Sequence, residues 1–347
     1  MPKVALITDT HFGVRKGSQI FHDYFEKFYT DTFIPALDER GIRTVIHLGD
    51  VFDVRKGIDY WSLDWAKRVF FGPLYQRGID VHAIVGNHDI FYKNTLSING
   101  VSLNLSQYDN IAVYNHPTTA TIEDTEIFMV PWICEDNAAE FSAACAATDA
   151  NVCMGHLELA GFYANKEYQC QHGTDPKVFR QFDTVYSGHF HKKSTRGNIT
   201  YLGNPYQMYW NDLDEERGFH IWDTETGELE FIANPTSMFH KIYYDESKQK
   251  LFNPNQFKDS YIKIVVENST NPKKLSTIVD GLYQVGIHDI KVIEQISLDI
   301  DDEVEVEGED TLTTLTNYVY AIQDLTDNDK DEVIQIFKSL YVEAQEV

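Results

Sequence analysis

Five short polar blocks, each directly after an apolar run of strand length, constrain this chain more than any other feature. Asp9-Thr10-His11 follows residues 4–7, Gly49-Asp50-Val51-Phe52-Asp53 follows 45–48, and Gly86-Asn87-His88-Asp89 follows 81–85. Gly155-His156 follows 151–154, and Gly188-His189-Phe190-His191 follows 184–187. Apolar runs of four to five residues bounded by Gly, Asp and Asn read as buried strands. In an open α/β sheet the C-terminal ends of the strands form one rim, where ligands bind. The pattern therefore gathers carboxylates, an amide and imidazoles from distant parts of the chain at one place.

That donor set fits two divalent ions. Two such ions roughly 3.5–4 Å apart activate an attacking oxygen and stabilise the leaving oxygen in a displacement at phosphorus. Asp9, His11 and His191 are assigned to one ion, Asn87, His156 and His189 to the other, and Asp50 to the bridge. Imidazole with carboxylate and amide, and no Cys in any block, argues for Mn, Fe or Zn over an iron–sulfur cluster or a Cys-rich zinc site, with Mg²⁺ as a further alternative, and ligand type alone does not fix the metal. Mn²⁺ is the expected metal. His88, next to the ligand Asn87, is assigned the role of general acid, work that suits imidazole because its ordinary pKa lies near neutrality. Asp53 is expected to accept a hydrogen bond from His88 and fix its tautomer, and Arg55 or Lys56 to offer positive charge to a phosphate.

Any one of these blocks also arises by chance, and a lone His beside a strand is usually structural. Five blocks in strand context outweigh that explanation. His47 and His82 sit inside apolar runs and read as structural, whereas His22, His116, His172, His220, His240 and His288 have no partner at informative spacing and default to surface or packing roles.

The ordered blocks resemble the calcineurin-like metallophosphoesterase superfamily. Gly188-His189-Phe190-His191 near the end of the core and residues 49–56 (GDVFDVRK) near its start resemble the SbcD-type DNA nucleases within it. The resemblance covers most of residues 1–240 and, more weakly, the tail. It implies a four-layered sandwich and a Mn²⁺-dependent nuclease that works with an SbcC/Rad-type ATPase on DNA ends. It carries over the seven metal ligands and the acid role of His88. In one respect the chain departs from that pattern. Many SbcD-type nucleases have His at the position of Asp53, whereas the superfamily's protein phosphatases place Asp there and follow it directly with Arg. Here Val54 separates Asp53 from Arg55.

The net charge of −25 runs against a DNA-binding role, because Lys and Arg contacts to phosphate normally dominate affinity. Its distribution softens the objection. Carboxylates crowd residues 299–310, while Arg15, Lys16, Arg55, Lys56, Lys93, Lys192, Lys193 and Arg196 flank the ligand blocks in sequence, and two bound ions add about four positive charges. No run approaches the roughly 18 apolar residues of a membrane span, and the first residues turn polar too early for a secretory signal, so a cytoplasmic protein is expected. Cys134, Cys145, Cys153 and Cys170 show no CxxC spacing and read as reduced thiols.

The first part of the chain alternates strand and helix, with helices expected over 20–40, ended by Gly41, and 60–76, ended by Gly78. Such units build a mostly parallel sheet. The expected architecture is α/β: two central mixed sheets flanked by helices, a small α/β cap and a helical C-terminal tail. The division is a nuclease domain at 1–240, a cap at 241–298 with strands over 261–267 and 289–294 about a helix over 272–285, an acidic linker at 299–310, and a partner-binding tail at 311–347. In the tail, Leu312, Leu315, Val319 and Ile322, and then Val333, Ile336, Phe337, Leu340 and Tyr341, recur at helical spacing. These stripes either pack on their own domain or dock on the ATPase. DNA, that ATPase and a second copy of the chain are the expected partners. Rival readings are a phosphomonoesterase or protein phosphatase of the same superfamily, and a catalytically idle adaptor for the ATPase.

Overall fold

A computed structural model describes residues 2–164, 169–248 and 252–294, with Lys330 and Val333 beyond them. The acidic linker and, but for those two residues, the tail expected at 311–347 lie outside the described residues.

Strands β1 (Lys3–Ile7), β2 (Thr44–His47), β3 (Asp80–Ile84) and β4 (Ile111–Tyr114) pair in parallel, with Val4 opposite Thr44, Val45 opposite Val81 and Val81 opposite Ile111. A helical path over residues 19–40 (α1) follows β1, and another over 60–76 (α2) follows β2. Both contain a π-helical turn, Tyr29–Phe33 and Lys67–Phe71, where the sequence predicts unbroken α-helix. The cause is a proline just beyond each turn, Pro35 and Pro73. Proline lacks an N–H and its ring presses on the carbonyl four residues back, and one widened turn absorbs both effects. Ile34 N accordingly donates to Tyr29 O, and Gly72 N to Lys67 O. Gly41 ends α1 in the left-handed conformation (φ 65°), as expected.

The second half builds β5 (Thr118–Ile122), β6 (Thr125–Val130), helix α3 (Ala138–Ala147), β7 (Val152–His156), β8 (Thr184–Gly188), β9 (Ser194–Arg196), β10 (Ile199–Tyr201), β11 (Gly218–Asp223) and β12 (Leu229–Ala233). One sheet runs β12-β11-β1-β2-β3-β4 and the other β5-β6-β7-β8-β10-β9, and each mixes parallel with antiparallel neighbours. Alternation within the strands sorts the core. Val4, Leu6, Ile46 and Ile84 meet Ile127, Met129, Met154 and Tyr186 between the sheets. Ala5, Ile7, Val45 and Val81 face Phe25, Phe28, Phe33 and Phe70 of α1 and α2, while Phe128, Cys153 and Val185 face Phe141 and Cys145 of α3. The result is the expected helix-sheet-sheet-helix sandwich.

A third sheet follows: β13 (Phe239–Asp245), β14 (Tyr261–Asn268), helix α4 (Pro272–Gln284) and β15 (Asp289–Glu294), in the order β13-β14-β15. It has its own core of Tyr244, Phe257, Ile262, Ile264 and Leu282. Strand β13, parallel to β14 with Ile242 opposite Ile264, adds to the expected strand-helix-strand unit. Its mixture of His240, Lys241 and exposed Tyr243 with apolar residues hides the two-residue period. Phe21 of α1 stacks on Tyr261 with ring centres 6.0 Å apart, and Trp210 packs on Phe239 at 4.6 Å. Among the described residues no helix is long and apolar enough to cross a membrane, and the four cysteines are unpaired.

Candidate metal centre

Four of the residues assigned as ligands sit in left-handed backbone: Asp9 (φ 51°), His11 (φ 44°), Asp50 (φ 53°) and His189 (φ 88°). Each such residue costs on the order of 1 kcal/mol and persists only where its surroundings over-determine it. Here they do. The loops after β1 and β2 zip together through Asp9 N to Gly49 O (3.0 Å), His11 N to Asp50 O (3.1 Å) and Phe12 N to Val51 O (2.8 Å). Buried His47 ties them from beneath: Gly49 N donates to its Nδ1, its Nε2 lies 3.0 Å from Thr10 Oγ1, and that hydroxyl donates to Val51 O. Burial lowers His47 to about 3, so the ring is neutral and structural, as its place in a strand predicts. Asp89 joins the loops after β2 and β3 by accepting from Phe52 N and Gly86 N. The glycines are steric necessities. A Cβ on Gly49 (φ 100°) would enter the His156 ring, and one on Gly86 would meet the Asp50 carboxylate.

The ligand atoms converge on two neighbouring points. Asp9, His11 and His191 each place one ligand atom within 4.8 Å of the others, and so do Asp50, His156 and His189. His11 Nε2 lies 3.2 Å from His191 Nε2 and 4.0 Å from Asp9 Oδ1. Asn87 Oδ1 lies 2.9 Å from both His156 Nε2 and His189 Nδ1. Between the groups, Asp50 Oδ2 is 3.3 Å from His156 Nε2 and 3.8 Å from His11 Nε2. These donors fit cations. His156 Nδ1 faces the carbonyl of Leu48 at 2.8 Å and must carry the hydrogen. Its Nε2 lone pair then points at two acceptors, Asn87 Oδ1 and Asp50 Oδ2, an arrangement that needs a proton or a metal ion between them.

The electrostatics agree. Burial opposes charge on His11, yet the carboxylates of Asp53, Asp50 and Asp9 outweigh it and raise its pKa to about 9. Burial likewise opposes charge on His156, and Asp50, then Asp9 and the Leu48 carbonyl, raise it to about 9. Against burial, the charges of His156, His88 and His11 hold Asp50 well below the carboxylate range. Asp9 is raised by burial and by Asp50, whereas burial and the charge of His11 push His191 well down. Without metal, protons on His11 and His156 stand in for the cations.

His88 takes its place at the rim, its ring 4.9 Å from that of His11, and its backbone N–H donates to Asp50 Oδ1. One assignment is corrected. The expected bond from His88 to the Asp53 carboxylate is absent: His88 Nδ1 faces the backbone carbonyl of Asp53 at 2.5 Å, because the carboxylate turns to His11 Nδ1 at 3.2 Å. Asp53 thus faces both rings, His88 through its carbonyl and His11 through its side chain. Arg55 lies half-buried in the same loop and, among the described residues, forms no hydrogen bond or ion pair. Several flanking cations are spent internally: Arg15 on Met208 O and the Tyr209 ring, Lys192 on Glu215, Lys193 on Glu216, and Arg196 on Gly161 O.

Other residues at the centre lack an assigned role in the sequence reading. Trp132, at the end of β6, sets its ring 5.0 Å from His189. Tyr206 OH donates to Thr10 O at 2.6 Å, and Glu158 lies 3.7 Å from His189 Nε2. Trp132 stands two residues past the end of an apolar strand, after Pro131, a position that is itself a usable signal, whereas Tyr206 carries none.

The sequence profile described as calcineurin-like phosphoesterase matches residues 2–193. The chain belongs to the calcineurin-like phosphoesterases. Exonuclease subunit 1 of Enterobacteria phage T4 is 34% identical over 347 residues, covering 99% of this chain and 99% of that protein. Among solved structures, a dimetal phosphatase from Danio rerio aligns with 63% of this phosphoesterase and 91% of its own chain, at 13% identity and a TM-score of 0.40. The purple acid phosphatase PPD1 of yellow lupin aligns with 66% of this chain and 52% of its own, at 11% identity and a TM-score of 0.39.

Proposed function

We propose that this phosphoesterase is a two-metal, Mn²⁺-dependent DNA nuclease, an exonuclease and endonuclease that hydrolyses phosphodiesters at DNA ends in the host cytoplasm as the partner of an SbcC/Rad-type ATPase. The observation that carries the two-metal reading is the Asp50 carboxylate, whose Oδ2 stands within 4 Å of a nitrogen from each ligand group. DNA is preferred to a phosphomonoester because the full-length relative is named an exonuclease subunit. That word also supports a partner protein. Residues 1–240 would form the nuclease domain, 241–298 a cap over DNA, 299–310 a linker, and 311–347 the docking tail, with a homodimer as the working form.

Asp9, His11 and His191 would hold one ion and Asn87, His156 and His189 the other, with Asp50 between. Mg²⁺, Fe²⁺ and Zn²⁺ are the alternatives to Mn²⁺, since a mixed oxygen and imidazole donor set does not by itself choose among them. Such a pair supplies Lewis-acid charge to the phosphate and a nucleophile at neutral pH. The chain's own residues do the rest. His88, oriented by the Asp53 carbonyl, delivers a proton to the leaving 3′ or 5′ oxygen. Lys16, Arg55, Lys56 and Lys93, which among the described residues have no internal ion pair, are left for the phosphates that flank the scissile bond.

The test is turnover by the purified full chain, with and without Mn²⁺, on linear DNA, p-nitrophenyl phosphate and a phosphopeptide. Nucleotide release that requires Mn²⁺ and exceeds monoester hydrolysis supports the reading. Turnover of the monoesters alone makes the protein a phosphomonoesterase, and no turnover with Mn²⁺ and ATPase present makes it an adaptor.

A further inference from the structure

The ligand histidines are not anchored alike. His156 is fixed by Leu48 O at its second nitrogen, and His11 Nδ1 faces the Asp53 carboxylate at 3.2 Å. Among the described residues, the only hydrogen-bonding contact of the His191 ring is with His11 at the centre itself. Its orientation must therefore come through its backbone. The His191 carbonyl is gripped by Arg217 Nη1, which also donates to Asn204 Oδ1, and it accepts from Asn204 N at 3.4 Å. Arg217 is 94% buried by its 6% exposure, and its other amino group pairs with Asp212 at 3.1 Å and Glu215 at 3.3 Å. Asp212 in turn accepts from Met208 N and Tyr209 N. Next along the chain, Gln207 Oε1 accepts from Met238 N and Phe239 N, each at 2.9 Å, where β13 begins.

We infer that Arg217 is a positioning residue for the metal centre: its guanidinium locks the His191 backbone, and through Asp212 and the segment from Gln207 to Tyr209 it registers that ligand against the first strand of the third sheet. The inference rests on the reading that His191 holds one of two ions. A planar fork is needed for this work, because it binds a carbonyl, an amide oxygen and carboxylates at fixed angles, which a lysine ammonium cannot reproduce. Nothing in the local sequence marks Arg217, which lies 26 residues after His191 at the start of an antiparallel strand.

The consequence is selective. Loss of an outer partner of a metal ligand typically lowers metal affinity about 10–100-fold, and here only the ion of Asp9, His11 and His191 should feel it. Mn²⁺ binding to the full-length protein is measured by titration calorimetry for the wild type, Arg217→Met and Arg217→Lys, with thermal unfolding of each metal-free protein alongside. The expected result is two ions on the wild type, and on both variants one ion of unchanged affinity and one weakened about 10–100-fold. Arg217→Lys keeps the charge opposite Asp212 and Glu215, so it tests the fork in a folded protein even if Arg217→Met does not fold. A folded lysine variant that binds two ions with wild-type affinities, or that loses both equally, overturns the role of Arg217. A wild type that does not bind two ions overturns the two-metal reading instead.

Discussion

The roles proposed for Asp50 and His88 divide the chemistry of the site, and single substitutions separate them. Asp50 touches both ligand groups, so Asp50→Ala should abolish Mn²⁺-dependent DNA hydrolysis while the protein remains folded. Near-normal hydrolysis by a metal-verified variant would break the assignment. His88→Asn should keep both metals and lose about 10²–10⁴-fold in rate. That deficit should shrink on bis-p-nitrophenyl phosphate, whose leaving group needs little protonation, and loss of metal from the variant would make His88 a ligand instead. The protons on His11 and His156 predict a pH dependence. Both are raised from 6.5 to about 9, so in the metal-free protein they contribute stability that is fully present below pH 6.5 and lost as pH rises through 9. Metal entry displaces the same protons. Mn²⁺ affinity should climb with pH up to about 9 and then level, with about two protons released per loaded centre at neutral pH. Calorimetry in buffers of different ionisation enthalpy reads that number, and a pH-independent affinity would contradict it. These candidate ligands stand out in the sequence because each follows a strand. Arg217, Asn204 and Tyr206 were not, because they reach the centre from segments that carry no ligand block, and the true partner of the Asp53 carboxylate depends on a loop conformation that spacing does not encode.

At the level of elements, the zipped loops after β1 and β2 are the device that holds Asp9, His11 and Asp50 in left-handed backbone. Gly49 is where they are most sensitive. Gly49→Ala would combine a Cβ at φ 100° with a clash against the His156 ring, and should cost about 2–4 kcal/mol from strain and overpacking together. Chemical denaturation measures the loss, and a change below about 0.5 kcal/mol, the range of an ordinary surface substitution, would mean that the loop relaxes freely. The parallel strands β1, β2 and β3 and the two helices that follow β1 and β2 were legible from apolar runs and from Gly41 and Gly78. Strands β4, β5, β9 and β13 were not, since β5 is mostly Thr and largely solvent-facing and β13 mixes His, Lys and Tyr with its apolar residues. The π-helical turns escaped for another reason. Proline inside a helical pattern normally signals an end or a kink, and only the packing of Phe28, Phe33, Phe70 and Phe71 into one core keeps these helices running through it.

At the scale of the whole molecule, two sheets back to back bring candidate ligands from both halves of the chain to one rim: Asp9, His11, Asp50 and Asn87 from the first sheet, and His156, His189 and His191 from the second. The third sheet is stapled to this body through α1 and through Gln207. If residues 311–347 dock on an ATPase, deleting the chain from Asp299 onward should abolish co-purification with that partner and spare metal-dependent cleavage of single-stranded DNA. Paired charge-introducing changes at Leu315 and Phe337 should weaken the same association, because a buried charge costs several kcal/mol. Unchanged association would make the tail part of its own domain, as would unfolding of the truncated core. The central claim, two ions sharing Asp50, is tested most directly by anomalous diffraction from crystals grown with Mn²⁺. Two peaks about 3.5–4 Å apart, with the Asp50 carboxylate between them, are predicted. A single peak, or a second one away from Asn87, His156 and His189, would contradict the account.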